Sequence, residues 1–97
     1  MIRYIRDREI EKKIIDYLAS KGAKKIEIFG SYARGEDYND IDVIVEFEKL
    51  KGMEFFSCGR ELKEIISKDV DVLTINSISE KILPYVEKDK KVIYEKT

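Results

Sequence analysis

The spacing of apolar residues changes along the chain and predicts an alternation of helices and strands. Residues 7–21 carry apolar side chains at helical spacing, which indicates an amphipathic helix that Gly22 ends. Residues 53–67 repeat that spacing, and the expected core residues of this second helix are Phe55, Cys58, Leu62, Ile65 and Ile66. Shorter runs in which apolar and polar residues alternate, or in which nearly all residues are apolar, predict β-strands. These runs cover residues 25–29, 40–46, 70–75 and 91–95.

The order of these elements predicts an α/β fold. The helix at residues 53–67 lies between two predicted strands, so it fits a crossover that covers one sheet face and joins parallel strands. Pro84 fits the first turn of a short helix before the last strand. We expect a mixed β-sheet flanked by helices. A chain of 97 residues has the length of one domain, so we assign residues 1–97 to a single domain.

Composition narrows the chemistry that is open to the chain. It is 43% hydrophobic and 40% charged, which is typical of a folded domain. Because there is no histidine, a general base has to be a carboxylate. Cys58 has no second cysteine to pair with and fits a buried helix position. A net charge of −1 gives no overall attraction to nucleic acid, and without a long apolar segment or signal peptide the expected location is the cytoplasm.

A glycine and a serine follow the first predicted strand and indicate a tight turn. Gly30 has no Cβ, so its backbone can come close to a ligand. Ser31 is expected to cap a short helix whose free N–H groups face an anion. The turn is therefore a candidate phosphate-binding site.

Two aspartates open the next predicted strand. Asp40 and Asp42 lie two residues apart, so both carboxylates leave the same face of the sheet. Mg²⁺ binds through such carboxylates together with substrate phosphates. A third carboxylate should come from another strand, where spacing alone allows Asp69 or Asp71. Asp71 lies inside the apolar run and is the better candidate, whereas Asp69 fits a turn.

The loop between the turn and these aspartates carries further candidates. Arg34 can reach a triphosphate or can pair with Glu36 or Asp37, and the sequence favours neither interpretation. Tyr32 and Tyr38 can stack on a nucleotide base or shield the loop, and shielding is the simpler interpretation.

Together these residues resemble the minimal nucleotidyltransferases, or MNT proteins, of the DNA polymerase β superfamily. The signature of that family is a GS turn, a loop and a D-x-D strand, which are found here at Gly30-Ser31 and Asp40-Ile41-Asp42. The loop is shorter than in many relatives. Ala33-Arg34-Gly35 and the strand around Asp71 also match, so that the similarity covers roughly residues 23–75.

The resemblance implies a small polymerase β-like fold and the transfer of AMP from ATP to an acceptor hydroxyl, with release of pyrophosphate. It implies that Asp40, Asp42 and Asp71 hold Mg²⁺, with two ions expected, and that Asp71 also takes the acceptor proton. The Gly30-Ser31 turn and Arg34 would bind the nucleotide. For a family member of this size, the implied partner is a HEPN ribonuclease toxin. The protein would be an antitoxin that silences this toxin by attaching AMP to a tyrosine.

Two other functions stay open on the sequence. The protein could be an antitoxin that neutralises its toxin by contact alone, with a vestigial nucleotide site, although the presence of all three carboxylates argues against this. It could also be a nucleotidyltransferase that modifies a small molecule, although such enzymes usually need an extra domain.

Overall fold

The computed structural model describes residues 7–49 and 52–97. The helices are α1 (Arg8–Ser20), α2 (Gly30–Ala33), α3 (Gly52–Ile66) and α4 (Leu83–Asp89), and the strands are β1 (Ala23–Phe29), β2 (Asp40–Phe47), β3 (Asp69–Leu73) and β4 (Lys91–Glu95). A short 3₁₀ turn, Ile75–Ser77, lies between β3 and α4. The predicted helices and strands are all present, and their ends differ from the predicted ends by at most two residues.

The four strands form one sheet in the order β3-β2-β1-β4. β2 and β3 are parallel, and α3 is the crossover that joins them. β1 is antiparallel to both of its neighbours, β2 and β4. The predicted α/β fold, a mixed sheet flanked by helices, is therefore confirmed.

The first helix has a clear start and a clear end in the sequence. The Asp7 carboxylate accepts hydrogen bonds from the backbone N–H groups of Glu9 and Ile10, which satisfies two of the free donors at the helix start. The chain leaves the helix through Gly22, whose φ of +96° favours glycine. The face that α1 turns towards the sheet buries Ile10, Ile14 and Leu18.

One face of the sheet packs against α1 and α3 and forms the core. Alternate strand residues point to this face, and they are fully buried at Ile26 and Ile28 of β1 and at Val43 and Val45 of β2. The other face carries Glu27, Asp42 and their neighbours on adjacent strands, so the polar side chains of the sheet collect there. Among the described residues, no helix is long and apolar enough to cross a membrane.

The crossover helix α3 confirms most of its predicted core residues. Cys58, Leu62 and Ile66 are buried, and Phe55 packs against the core at its edge. Ile65 was also expected in the core, but its side chain is 44% exposed, so this prediction was wrong. One residue corresponds to about 100° of rotation around a helix, which turns Ile65 towards solvent when Ile66 faces the sheet.

Candidate active site

Three aspartates from two neighbouring strands meet on the open face of the sheet. Asp40 and Asp42 are the first and third residues of β2, and Asp71 lies in the middle of β3. The parallel register places Asp42 beside Asp71. One carboxylate oxygen from each of the three lies within 4.8 Å of the others. We call these residues the aspartate triad. Their convergence agrees with the sequence prediction, while their catalytic and metal-binding roles stay predictions.

Asp69, the other aspartate of β3, is separated from the triad. It lies beside Asp40 in the strand register, but its carboxylate is 2.8 Å from the ammonium group of Lys63. It is not a member of the carboxylate cluster found among the described residues. The choice of Asp71 over Asp69 is therefore consistent with the geometry.

The triad concentrates negative charge on the open face of the sheet. Burial raises the pKa of Asp42 from 3.8 to about 6, and the charges of Asp40 and Asp71 add to that increase. In the part of the chain that the structure describes, no Lys or Arg nitrogen forms a salt bridge with these three carboxylates. A bound cation would relieve this repulsion.

The donor set of the triad fits a divalent cation such as Mg²⁺. All three ligands are carboxylates, and Mg²⁺ prefers oxygen. Bonds from Mg²⁺ to oxygen are about 2.1 Å long. The three oxygens lie within 4.8 Å of one another, so small side-chain movements would let all three hold one ion.

The turn after β1 lies directly against the triad. Phe29, the last residue of β1, pairs with Asp42 of β2, so Gly30 begins beside that carboxylate. Gly30 has a φ of +81°, and a Cβ at this position would lie 2.6 Å from an Asp42 oxygen. Both the backbone conformation and the available space therefore require glycine.

The expected capping role of Ser31 was wrong. The helix α2 begins at Gly30, so its N-cap residue is Phe29 and no side chain makes the capping hydrogen bond. Ser31 is instead the second residue of the helix, one position after its start. Its predicted contact with a nucleotide stays a prediction.

A buried hydrogen-bond network holds α2 in place. Tyr32 of α2 is 1% exposed, and its hydroxyl donates to a Glu11 carboxylate oxygen at 2.7 Å and accepts from the backbone N–H of Asp7 at 2.9 Å. Burial, and then the bond to Glu11, raise the pKa of the Tyr32 hydroxyl. The Tyr38 ring meets the Tyr32 ring edge-on at 4.9 Å. Tyr32 therefore shields the loop, as the simpler interpretation had it, and is too buried to stack on a base.

Of the two interpretations of Arg34, the structure shows pairing with carboxylates, and one of the two partners was not suggested by the sequence. Its guanidinium lies 3.1 Å from Glu36 and also binds the carboxylate of Asp89 in α4. These two hydrogen bonds raise the pKa of Arg34. Asp89 is far along the chain, and Glu11 is one of three acidic residues in α1, so only the fold brings either of them to the site. Nucleotide binding by Arg34 stays a prediction.

Comparison with known proteins gives family-level matches over most of the chain. The model of a family described as polymerase beta, nucleotidyltransferase matches residues 12–97. The Methanocaldococcus jannaschii protein MJ0435, named as a candidate protein adenylyltransferase, is 48% identical over 73 residues. That match covers 72% of this chain and 78% of the relative.

Solved structures show the same fold. A chain from a structure described as a toxin–antitoxin with AMP-PNP superposes with a TM-score of 0.74 at 27% identity, covering 90% of this chain and 74% of the other. A chain from a structure described as a tri-AMPylated Shewanella oneidensis HEPN toxin in complex with MNT antitoxin gives a TM-score of 0.72 at 25% identity, covering 91% and 71%. The resemblance to minimal nucleotidyltransferases is thus confirmed. This chain belongs to the polymerase β nucleotidyltransferase family and is an enzyme of the nucleotidyltransferase type.

Proposed function

We propose that this protein transfers AMP from ATP to a tyrosine hydroxyl of a HEPN ribonuclease toxin and so acts as the antitoxin of that partner. The observation that carries the proposal is the convergence of Asp40, Asp42 and Asp71 beside the Gly30 turn. The nature of the reaction is supported by the adenylyltransferase name of the M. jannaschii relative and by the AMPylated HEPN toxin in the S. oneidensis complex. A cytoplasmic location and a single domain over residues 1–97 stay predictions.

The triad is the proposed site for Mg²⁺, and two ions are expected. When bound, Mg²⁺ supplies positive charge to the phosphate oxygens and to the oxygens that attack and leave. Asp40 and Asp42 are half-buried and lie two residues apart on β2, so the strand backbone sets the spacing of the two side chains. A carboxylate pair arranged in advance would reduce the reorganisation needed to place the α-phosphate.

The turn after β1 is the proposed binding site for the outer phosphates. The backbone of Gly30 lies so close to the triad that a Cβ there would touch Asp42, and Ser31 is the next residue of the turn. Arg34 lies one helical turn further on and could add a positive charge, although its present partners, Glu36 and Asp89, would have to release it. Pyrophosphate would leave on this side of the triad.

Asp71 is the proposed general base. It is exposed on the edge strand β3, so an acceptor hydroxyl from another protein can reach it. The acceptor oxygen forms a bond to the α-phosphorus while the bond to pyrophosphate breaks, and the acceptor proton moves to the Asp71 carboxylate. No histidine is available for this task.

The proposal is tested by following label from ATP into a HEPN-type protein from the same genome, in the presence of Mg²⁺. The variant Asp71→Asn keeps the shape of the side chain but removes its charge, so transfer should fall by a factor on the order of 10² or more. Asp16→Asn, on the exposed side of α1, is the matched control and should behave like the wild type. If the wild type labels no protein, yet it and Asp71→Asn suppress the ribonuclease equally, the protein is a contact-only antitoxin instead.

A further inference from the structure

A cavity of about 530 Å³ adjoins the triad along the edge of the sheet. We call it the edge cleft. Its lining residues come from α3 and from the starts of β2 and β3, and they include Asp40, Gly59, Arg60, Lys63, Asp69 and Asp71. A Cβ on Gly59 would lie 3.2 Å from the Val70 carbonyl oxygen, so this glycine lets α3 approach β3 closely. Because α3 lies this close to β3, the exposed α3 residues Arg60 and Lys63 also border the cleft.

The edge cleft and the phosphate-binding turn flank the triad on opposite sides. In the sheet, β2 lies between β1 and β3. The Gly30 turn follows β1, whereas the cleft borders β3, which is the edge strand. In phosphoryl transfer the attacking and leaving oxygens lie roughly in line through phosphorus. If pyrophosphate leaves towards Gly30, the acceptor has to approach from the side of the edge cleft.

The rim of the cleft carries the exposed guanidinium of Arg60, which attracts the neighbouring Glu61 carboxylate but is not held by it in a salt bridge. Within the described ranges, no carboxylate forms a salt bridge with Arg60. Its neighbour Glu61 accepts a hydrogen bond from the Tyr17 hydroxyl at 2.6 Å. Lys63 pairs with Asp69 at 2.8 Å, and this pair is more than half exposed. Arg60 is therefore exposed beside the triad and open to an external partner.

We propose that the edge cleft binds the acceptor polypeptide and that Arg60, assisted by Lys63, selects a segment with acidic side chains beside the acceptor hydroxyl. This inference rests on the proposed function. A guanidinium binds a carboxylate through two parallel hydrogen bonds, which adds geometric selectivity to the attraction of charge. The triad and the ATP phosphates both carry negative charge, which bound Mg²⁺ would only partly offset, so Arg60 and Lys63 would counter the remaining repulsion of an acidic segment at the point of entry.

The test compares tyrosine peptides of equal length whose flanking residues are aspartate, serine or lysine. With labelled ATP and Mg²⁺, the wild type should modify the aspartate peptide with the highest kcat/KM and the lysine peptide with the lowest. Arg60→Glu should lower kcat/KM for the aspartate peptide by about tenfold, mainly through KM, and should favour the lysine peptide. The KM for ATP should stay within about twofold of the wild-type value. A charge at the rim of a cleft changes the rate at which the peptide associates more than it changes the chemical step. Lys13→Glu, an equal charge change on the exposed face of α1, should leave the peptide preference unchanged.

The outcomes separate this inference from the proposed function. Equal use of the three peptides, or an unchanged preference in Arg60→Glu, overturns the inference while AMP transfer itself stands. The same holds if the HEPN protein is modified but no peptide is, because the cleft then does not read a linear segment. Preferential transfer to a single-stranded RNA oligonucleotide, lost in Arg60→Glu, would assign the cleft to nucleic acid. Transfer to no acceptor at all would instead overturn the proposed function.

Discussion

Replacing Asp42 with asparagine should make the metal-free protein more stable near neutral pH. The folded-state pKa of Asp42 is about 6, above its ordinary 3.8, because of burial and the charges of Asp40 and Asp71. The folded protein therefore holds a proton that the unfolded chain has already lost, so stability falls as the pH rises from about 4 to about 6. Above about pH 6 the Asp42 carboxylate of the folded wild type is charged, although it is half-buried and close to the charges of Asp40 and Asp71. Asp42→Asn removes this charge and therefore its unfavourable contribution to the free energy of folding.

The size of this effect follows from the pKa shift. A shift of about two units corresponds to at most about 3 kcal/mol, at 1.36 kcal/mol per unit. Asp42 is only half-buried, so solvent screening lowers the expected gain to about 1–2 kcal/mol. For a domain of this size, that gain raises Tm by roughly 5–10 °C.

Thermal unfolding followed by circular dichroism, in EDTA and from about pH 4 to 8, measures the difference directly. Asp42→Asn should exceed the wild type above about pH 6 and lose that advantage near pH 4. Asp16→Asn removes an exposed carboxylate of α1 and should follow the wild type at every pH. Added Mg²⁺ should stabilise the wild type more than Asp42→Asn. If Asp42→Asn is no more stable than the wild type at about pH 7.5 in EDTA, burial and the neighbouring carboxylates do not destabilise the charged form of Asp42, and this reasoning is refuted.

Two further substitutions test how the turn is built. Gly30→Ala should weaken ATP binding in calorimetry, because the new Cβ would displace the Asp42 carboxylate and strain the turn by about 1–2 kcal/mol. Gly22 also has a positive φ, but it lies beside the backbone of Lys49, so Gly22→Ala should lower stability and leave ATP affinity intact. An equal loss of ATP affinity in Gly30→Ala and Gly22→Ala would contradict the account of the turn. Tyr32→Phe removes the hydroxyl shared with Glu11 and Asp7 and should cost about 1–2 kcal/mol in denaturant unfolding. Tyr85→Phe, on a side chain that is 70% exposed, should cost nothing measurable, and similar losses in the two variants would count against the network.

Periodicity predicted the elements and narrowed the triad to Asp40, Asp42 and one of two further aspartates, Asp69 or Asp71. The alternation of side chains along β2 places Asp40 and Asp42 on one face, and the parallel pairing that α3 imposes brings Asp71 beside Asp42. The end of β3 was less predictable. Thr74 and Ser77 form a capping box around a 3₁₀ turn, which ends the strand at Leu73 although the apolar pattern continues to Ile75.

Contacts between distant parts of the chain could not be predicted from local patterns. The pairing of Arg34 with Asp89 joins the turn to α4, and the bond of Tyr32 to Glu11 joins it to α1. Each of these two contacts joins residues that are far apart in the sequence and that meet only in the folded chain. The sequence suggested Glu36 or Asp37 as the partner of Arg34, whereas the folded chain pairs Arg34 with Glu36 and adds Asp89.

The central claim, that this protein silences a HEPN toxin by attaching AMP, is tested most directly by measuring two properties of the same sample over time. The wild-type protein, Mg²⁺, ATP and the HEPN protein are mixed, and the intact mass and ribonuclease activity of the HEPN protein are followed together. We predict that its mass rises by one or more AMP units on a tyrosine and that ribonuclease activity falls in proportion to the modified fraction. Full suppression of the ribonuclease on mixing, with no change in mass, would contradict the claim.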